Sequence, residues 1–437
     1  KYMAEVNMGY NGSENFAKGH RWGFFPSIAL GYNISEESFF EPLRKVITSM
    51  KLRGSWGLVG NDQIGGERFI YMPTINLSGK GFTTGIDQNY GLSGPVYTRY
   101  ENNSITWEVG EKINLGIDLQ LLNSLNIVVD IFRETRRDIF QKKGTIPTYL
   151  GTGNTDVFGN LAEMKNQGLD LSIDYNKAFS KDFYMNFKGT FTYAHNEITK
   201  YDEAPKYAFQ SKVGQSANVS QGYLSNGLFL DEAEIDRYNQ QMGSTLGAGD
   251  IKYLNVSNMH GYGDDIVDVD DWTWIGNPTV PEIVYGFGPS FKYKNWDFSF
   301  FFQGVAKTSL FMSGFHPFGD NSLRNVLQFV ANDRWSPTNQ NVDAKYPRLT
   351  RKTSLNNTNP GNSGRTSDYW MRDGSFLKLK NMELGYTFKR MRFYISGSNL
   401  LTFSKFDLWD PEQGGGSGLK YPTQRVFNVG FQMTFNN

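Results

Sequence analysis

The sequence predicts an all-β fold: a transmembrane antiparallel β-barrel to which this chain supplies about twelve strands. Three observations predict it. Apolar and polar residues alternate with period two in many segments, the pattern of a strand with one greasy and one wettable face. These segments run about 10–16 residues, well beyond the ~5–6 of soluble sheets. The connections alternate, short turns at one end and long stretches at the other, which is the asymmetry of an outer-membrane barrel rather than of a soluble sandwich.

The composition agrees. Of 437 residues, 15% are aromatic and 47 are glycine, a β-type balance. Lys plus Arg (44) equals Asp plus Glu (44), so no basic excess argues for a nucleic-acid partner. Cysteine is absent, which removes disulfides and thiolate metal sites from these residues and fits an exported bacterial protein. No run approaches the ~18 consecutive apolar residues of a transmembrane helix. Barrel strands escape that count, because they need only about 9–11 residues of alternating character. No signal peptide opens the chain. "KYMAEVNMGY" alternates from its first residues, as if cut from a longer polypeptide.

The strands follow in order. "WGFFPSIALGYNI" sets Trp22, Phe24, Ile28, Leu30, Tyr32 and Ile34 on one side. "KLRGSWGLVG" sets Leu52, Trp56 and Leu58 against Lys51, Arg53 and Ser55. "WEVGEKINLGIDLQLLN" and "LNIVVDIFRETRRDIF" form a hairpin about Asn123, and "GLDLSIDYNKAF" and "FYMNFKGTFTYAHNEI" another about Ser180–Asp182. "IVYGFGPSFKYK" meets "WDFSFFFQGVAK" at Asn295, and "SFLKLKNMELGYTF" meets "RFYISGSNLLTF" near Lys389–Arg390. Residues 60–105, 200–280, 308–374 and 404–424 are long links. Helical spacing appears in 36–50, 231–242 and 321–335, so the long loops carry short helices. Trp107, Phe132, Tyr175, Tyr193, Trp296 and Phe393 near strand ends are candidates for the aromatic girdles of a barrel, although aromatics are also good strand formers anywhere.

Several strings resemble the SusC/RagA-type TonB-dependent transporters of Bacteroidetes outer membranes. They are "GDIKY…DDIVDVDDWTWIGNPTVPEIVYGFGPSFKYKNWDFSFFFQG" (249–304), "DRWSPTNQNVDAKYPRL" (333–349), "SDYWMRDGSFLKLKNMELGYTF…RFYISGSNLLTFSKFDLWDPE" (367–412), "SWGLVGND" (55–62) and "TWEVGEKINLGIDL" (106–119). The resemblance covers nearly the whole chain, in order. It implies a barrel of about 22 strands around a plug, of which residues 1–437 supply the C-terminal half, with plug and TonB box absent from this chain. It implies active import of oligosaccharides or peptides across the outer membrane of a Gram-negative cell. It implies a SusD-like surface lipoprotein as lid, TonB reached through the N-terminal half, membrane lipid or lipopolysaccharide as surroundings, and no catalysis. Half a barrel leaves two strand edges whose unpaired backbone groups cost several kcal/mol each in lipid, so the N-terminal half is an expected partner.

The resemblance also implies a calcium-type loop at 261–272, of the form D-x-N-G-D-G-x-I-D. Asp264 and Asp268 match it; Asp265 replaces the second glycine and Tyr262 the asparagine. Asp264, Asp265, Asp268 and Asp270 are therefore candidate ligands for Ca2+ or Mg2+, and a solvated acidic loop tip is the alternative. The four histidines, His20, His195, His260 and His316, show no zinc spacing, and no nucleophile elbow or phosphate loop is present. Sugars bind through aromatic faces and bidentate polar groups. Trp272, Trp274, Phe315, Trp335, Tyr369, Trp370, Arg372 and Trp409 are the candidate ligand contacts, with Asp373 beside them. Packing within the loops competes at each. The closing "RVFNVGFQMTFNN" puts Phe427, Val429, Phe431, Met433 and Phe435 on one face, toward lipid, and in the family such a strand is the barrel assembly signal. Two other readings stand beside import: a soluble or surface-exposed β-rich glycan-binding protein, and half of a passive porin.

Overall fold

In the computed structural model, residues 1–435 are described, apart from 65, 67, 148, 150–154, 239, 242–245, 313–325 and 350–365. Twelve long strands form one sheet. They are β1 (Tyr2–Gly12), β2 (Trp22–Asn33), β3 (Ile47–Asn61), β4 (Glu108–Leu121), β5 (Leu125–Lys142), β6 (Phe158–Ala178), β7 (Phe183–Lys200), β8 (Ile283–Tyr293), β9 (Trp296–Ala306), β10 (Phe376–Phe388), β11 (Met391–Ser404) and β12 (Val426–Met433). Their order in the sheet is their order in the chain, every registered pair is antiparallel, and β1 and β12 stand at the two ends. The strands number as expected from the alternation, and the longest, β6, has 21 residues.

The chain divides into two compact units, Lys1–Tyr175 with Thr192–Pro205 and Ser211–Ala217, and Asn176–Phe191 with Lys206–Gln210 and Asn218–Asn437. In the first, register joins Tyr2, Tyr32, Leu52, Ile117, Val129 and Leu171 into one apolar row across six strands. In the second, Phe291, Phe298, Leu384, Ile395 and Val429 form a row across five strands. One turn nearer the short connections, Tyr293, Trp296, Tyr386, Phe393 and Phe431 form a wholly aromatic row. Trp296 and Tyr386 have ring centroids 4.7 Å apart, and Phe393 and Phe431 lie at 5.1 Å. Most of this face is exposed, Ile395 by 56% and Val429 by 88%. Large apolar side chains on an open face lack the protein core that a soluble sheet gives them.

The opposite face is polar. Arg53, Gly116, Asp130 and Asp170 share a row. Arg53 donates to Asp118 at 2.7 Å and to Asp130 at 3.0 Å, and Thr192 Oγ1 donates to Asp170 at 2.7 Å. Gly116 makes room for this fork: a Cβ there would lie 2.5 Å from Asp130 Oδ1 and 2.8 Å from Arg53 Nη2. In the second unit, on the face opposite its own apolar row, Arg392 bridges Asp297 and Glu383.

The short turns match the alternation. At Leu122 and Asn123 φ is +51° and +54°, and Ser124 N–H closes on the Leu121 carbonyl at 3.0 Å, the doubly left-handed turn that suits strand twist. Other expectations need correction. Trp107 is not in a girdle: it is 7% exposed, in a cluster with Phe16, Ile64, Ile70 and Ile105. Phe132 shares the polar face with Asp130, because it pairs with Asn114. Tyr175, paired with Leu125, and Trp296 and Phe393 do lie on the apolar face near short turns. Segment 36–50 is no helix. Short 3-10 turns cover Ile34–Glu36 and Ser38–Leu43, and β3 begins at Ile47. Pro42 lacks the N–H that an α-helix needs, and β-branched Val46, Ile47 and Thr48 favour a strand. Within 231–242 a helix runs Glu232–Arg237, capped by Asp231, which accepts from Glu234 N–H at 2.7 Å. Within 321–335 the helix is Gln328–Asn332, and 321–325 lie outside the described residues. The link 60–105 holds a two-stranded hairpin of its own, Thr74–Thr84 with Tyr90–Arg99. Phe435 lies beyond β12, whose Phe427, Val429, Phe431 and Met433 pair with Gly397, Ile395, Phe393 and Met391.

Candidate functional site

The long connections of the second unit build their own core over the strand ends. Two short antiparallel pairs frame it, Ser225–Leu228 with Ile251–Tyr253 and Ser309–Phe311 with Met371–Asp373. Tyr253 and Trp370 are fully buried there, with Trp335 and Phe406 at 5% exposure. Asp250 is also fully buried, and Arg348 donates to it at 3.0 Å. That pairing is what makes a buried charge tolerable.

Next to this core, sharing Leu310 and Phe311 with it, lies a cavity of about 580 Å3, lined by Gln303 and Val305 of β9, Phe376 of β10, the Ser309–Phe311 strand and the loop 411–416. The loop is pinned from below. Lys378 on β10, 1% exposed, donates to Asp410 at 2.8 and 2.6 Å and to Glu412 at 2.7 Å. Lys380 also reaches Glu412. Burial alone would raise the pKa of both carboxyls; the hydrogen bonds from Lys378, the Glu412 N–H and Lys380 outweigh it and hold Asp410 and Glu412 below the usual carboxylate range. The loop comes close because Gly415 has no side chain: a Cβ would sit 2.4 Å from the Phe311 carbonyl, which accepts Gly416 N–H at 2.9 Å.

The acidic stretch 261–272 is held by its own hydrogen bonds. Asp264 accepts from Asn255 at 3.1 Å and Ser257 at 3.0 Å; Asp271 accepts from Ser257 N–H at 2.9 Å and Asp268 N–H at 2.7 Å. Asp268 accepts from Asp270 N–H at 2.8 Å, Asp270 pairs with Lys206, and Asp265 is exposed. Burial pushes the Asp271 carboxyl up, whereas the donors around Asp264 overcome its desolvation and pull it down. Among the described residues no three His, Asp or Glu side chains come together as a metal cage.

The aromatic candidates scatter. Trp335 and Trp370 are interior residues of the loop core, with no open ring face for a ligand. Tyr369 donates to the Ala344 carbonyl at 2.8 Å, and burial drives its phenol far up. Arg372 donates to the Tyr369 and Met371 carbonyls at 2.8 and 2.7 Å, tying the loop rather than reaching outward. Trp409 donates to the Gly414 carbonyl at 3.0 Å and so orients the cavity loop. Trp272 is 38% exposed, edge-on to Tyr223 with centroids 6.1 Å apart. Trp274 pairs with Gln221 and is half-buried. Phe315 lies outside the described residues. The Lys378–Asp410–Glu412 cluster and the cavity above it were missed. Their one sequence signal is the glycine run 414–416 just after Asp410–Pro411–Glu412, which marks a close backbone approach.

Known proteins resemble the chain throughout. The family model described as TonB dependent receptor-like, beta-barrel, matches residues 4–400. TonB-dependent receptor P3 of Formosa agariphila is 26% identical over 472 residues, covering 100% of this chain and 44% of that protein. TonB-dependent receptor SusC of Bacteroides thetaiotaomicron is 27% identical over 462 residues, covering 100% of this chain and 42% of that protein. The chain therefore spans less than half the length of these relatives. Among solved structures, the RagAB peptide transporter matches with a TM-score of 0.71 at 20% identity, over 99% of this chain and 46% of that one.

Proposed function

The chain belongs to the TonB dependent receptor-like β-barrel family, and from that premise we propose that it is the C-terminal barrel portion of a SusC/RagA-type outer-membrane importer of oligosaccharides. The remaining strands, the plug and the contact with TonB come from the N-terminal half, and a SusD-like lipoprotein closes the mouth. The observation that carries this reading is the two-faced sheet. Rows such as Phe291–Phe298–Leu384–Ile395–Val429 offer lipid a continuous apolar surface, while Asp297, Glu383 and Arg392 on the same strands give the opposite face to water. No helix among the described residues is long and apolar enough to cross a membrane, so crossing falls to the strands. A soluble glycan-binding protein would leave that apolar face uncovered.

Deletion of the whole gene tests the function. Energised cells should lose uptake of one class of labelled neutral oligosaccharide, and a protonophore should abolish the same uptake in the parent strain. Uptake that survives the protonophore would support a passive porin. Loss of peptide uptake with glycan uptake intact would favour the peptide cargo that the name of the RagAB transporter carries.

A further inference from the structure

We infer that the cavity beneath the 411–416 loop is a binding site for a segment of a neutral, polyhydroxylated ligand, with Gln303 and Val305 on its strand wall. The inference rests on the import reading and narrows it to one site and one chemistry. At about 580 Å3 the cavity has the size of a small-molecule site. Its charge is already settled. The one ionised side chain on its wall is Glu412, and Lys378 and Lys380 both hold that carboxylate. A charged ligand would meet no free counter-charge there and would lose its hydration on entry.

What the walls offer is neutral hydrogen bonding beside aromatic carbon. Gln303 points from β9 on the polar face and is half-buried, and its amide has no hydrogen-bond partner among the described residues. Thr279 Oγ1 donates to the Asn218 carbonyl at 3.3 Å and keeps its lone pairs for a donor. The glycine run 414–416 lines the cavity with bare backbone, its Gly416 N–H already given to the Phe311 carbonyl and its Gly414 carbonyl to Trp409, so it adds no charge and leaves room for a ring. Phe311 and Phe376 supply ring carbon against which the C–H face of a sugar can pack. Donors and acceptors in a neutral, partly apolar pocket match a sugar ring, whose hydroxyls both donate and accept.

The test is calorimetry on the full-length protein in detergent. It is titrated with maltotetraose, cellotetraose, laminaritetraose and xylotetraose, with tetragalacturonate as the acidic glycan and with tetra-alanine as the peptide. At least one neutral tetrasaccharide should bind. Val305→Trp, which fills the cavity, should weaken it by more than about tenfold, and Gln303→Leu by about three- to tenfold, the range of one lost hydrogen bond. Both variants should keep the wild-type melting temperature. Binding within about twofold of wild type in both, preferential binding of tetragalacturonate or tetra-alanine, or no binding of any neutral glycan at millimolar concentration would overturn the inference. Cellular uptake separates the two readings. Oligosaccharide uptake that persists in Val305→Trp cells removes this site and leaves import standing; no protonophore-sensitive uptake in wild-type cells removes import itself.

Discussion

Lys378 Nζ lies 2.6 Å from Asp410 Oδ2, and its side chain is only 1% exposed. Breaking a buried pair strands the remaining charge at a cost of roughly 3–5 kcal/mol. Asp410 and Glu412 keep 19% and 31% exposure, so water relieves part of that penalty. Lys378→Met should therefore cost about 3 kcal/mol and free the 410–416 loop to limited proteolysis. Thermal unfolding and peptide mapping of the full-length protein check both.

The same cluster predicts a pH dependence with a definite sign. The Asp410 and Glu412 carboxyls titrate lower in the folded chain than in the unfolded one. Their contribution is thus fully present above the unfolded values of about 3.9 and 4.3 and lost as pH falls through the lower folded values. The 410–416 loop should stay protease-resistant at pH 7 and open below about pH 4. Lys378→Met should abolish that step.

A charge on the apolar face should be far costlier than one across the sheet. Ile395→Lys introduces an ammonium into the Phe291–Phe298–Leu384–Ile395–Val429 row. At mid-membrane this costs about 2–4 kcal/mol. Asn428→Lys, on the polar face of β12 opposite Ser396, should be nearly neutral. The yield of heat-modifiable folded protein in outer membranes measures the difference.

Arg53 bridges two carboxylates, Asp118 and Asp130, with side chains 32%, 35% and 17% exposed. A double-mutant cycle of Arg53→Met and Asp118→Asn should return a coupling of about 0.5–1 kcal/mol, because these groups remain partly solvated. Arg53→Lys should recover only part of it, since an ammonium cannot fork between both carboxylates. Chemical unfolding of the detergent-solubilised protein gives the values.

Gly288 lies on β8 where its missing Cβ would fall 2.0 Å from the Phe300 carbonyl of β9. The obstacle is backbone and cannot rotate away. Gly288→Ala should lower stability by about 1–3 kcal/mol through forced displacement of the pair, which thermal unfolding detects.

The sheet was legible because its information is local. Period-two alternation and turns at Asn123, Asn295 and Lys389 are properties of adjacent residues, and they place all twelve strands. Girdle assignment failed where residue type outweighed the alternation. Phe132 is an aromatic two residues after Asp130, so it shares the polar face, and its pairing with Asn114 agrees. Trp107 precedes β4 and packs against Phe16 and Ile105, contacts that no strand period encodes. The candidate contacts failed for a related reason. Trp335 and Trp370 read as ligand aromatics because they lie in loops, yet those loops are long enough to build a core and bury them. Lys378 and Asp410 are 32 residues apart, and nothing local announces that they meet.

Adjacent residues of β11 should meet different surroundings, Ile395 lipid and Ser396 water. Residues 1–437 contain no cysteine, so single cysteines at Ile395 and Ser396 can each carry an environment-sensitive fluorophore in the full-length protein in liposomes. Ile395→Cys should be quenched by nitroxide on lipid acyl chains and not by aqueous iodide. Ser396→Cys, its neighbour on the opposite face, should show the reverse. Equal aqueous quenching at both positions, or lipid quenching at Ser396→Cys instead, would rule out a lipid-facing Ile395 row and with it the barrel reading.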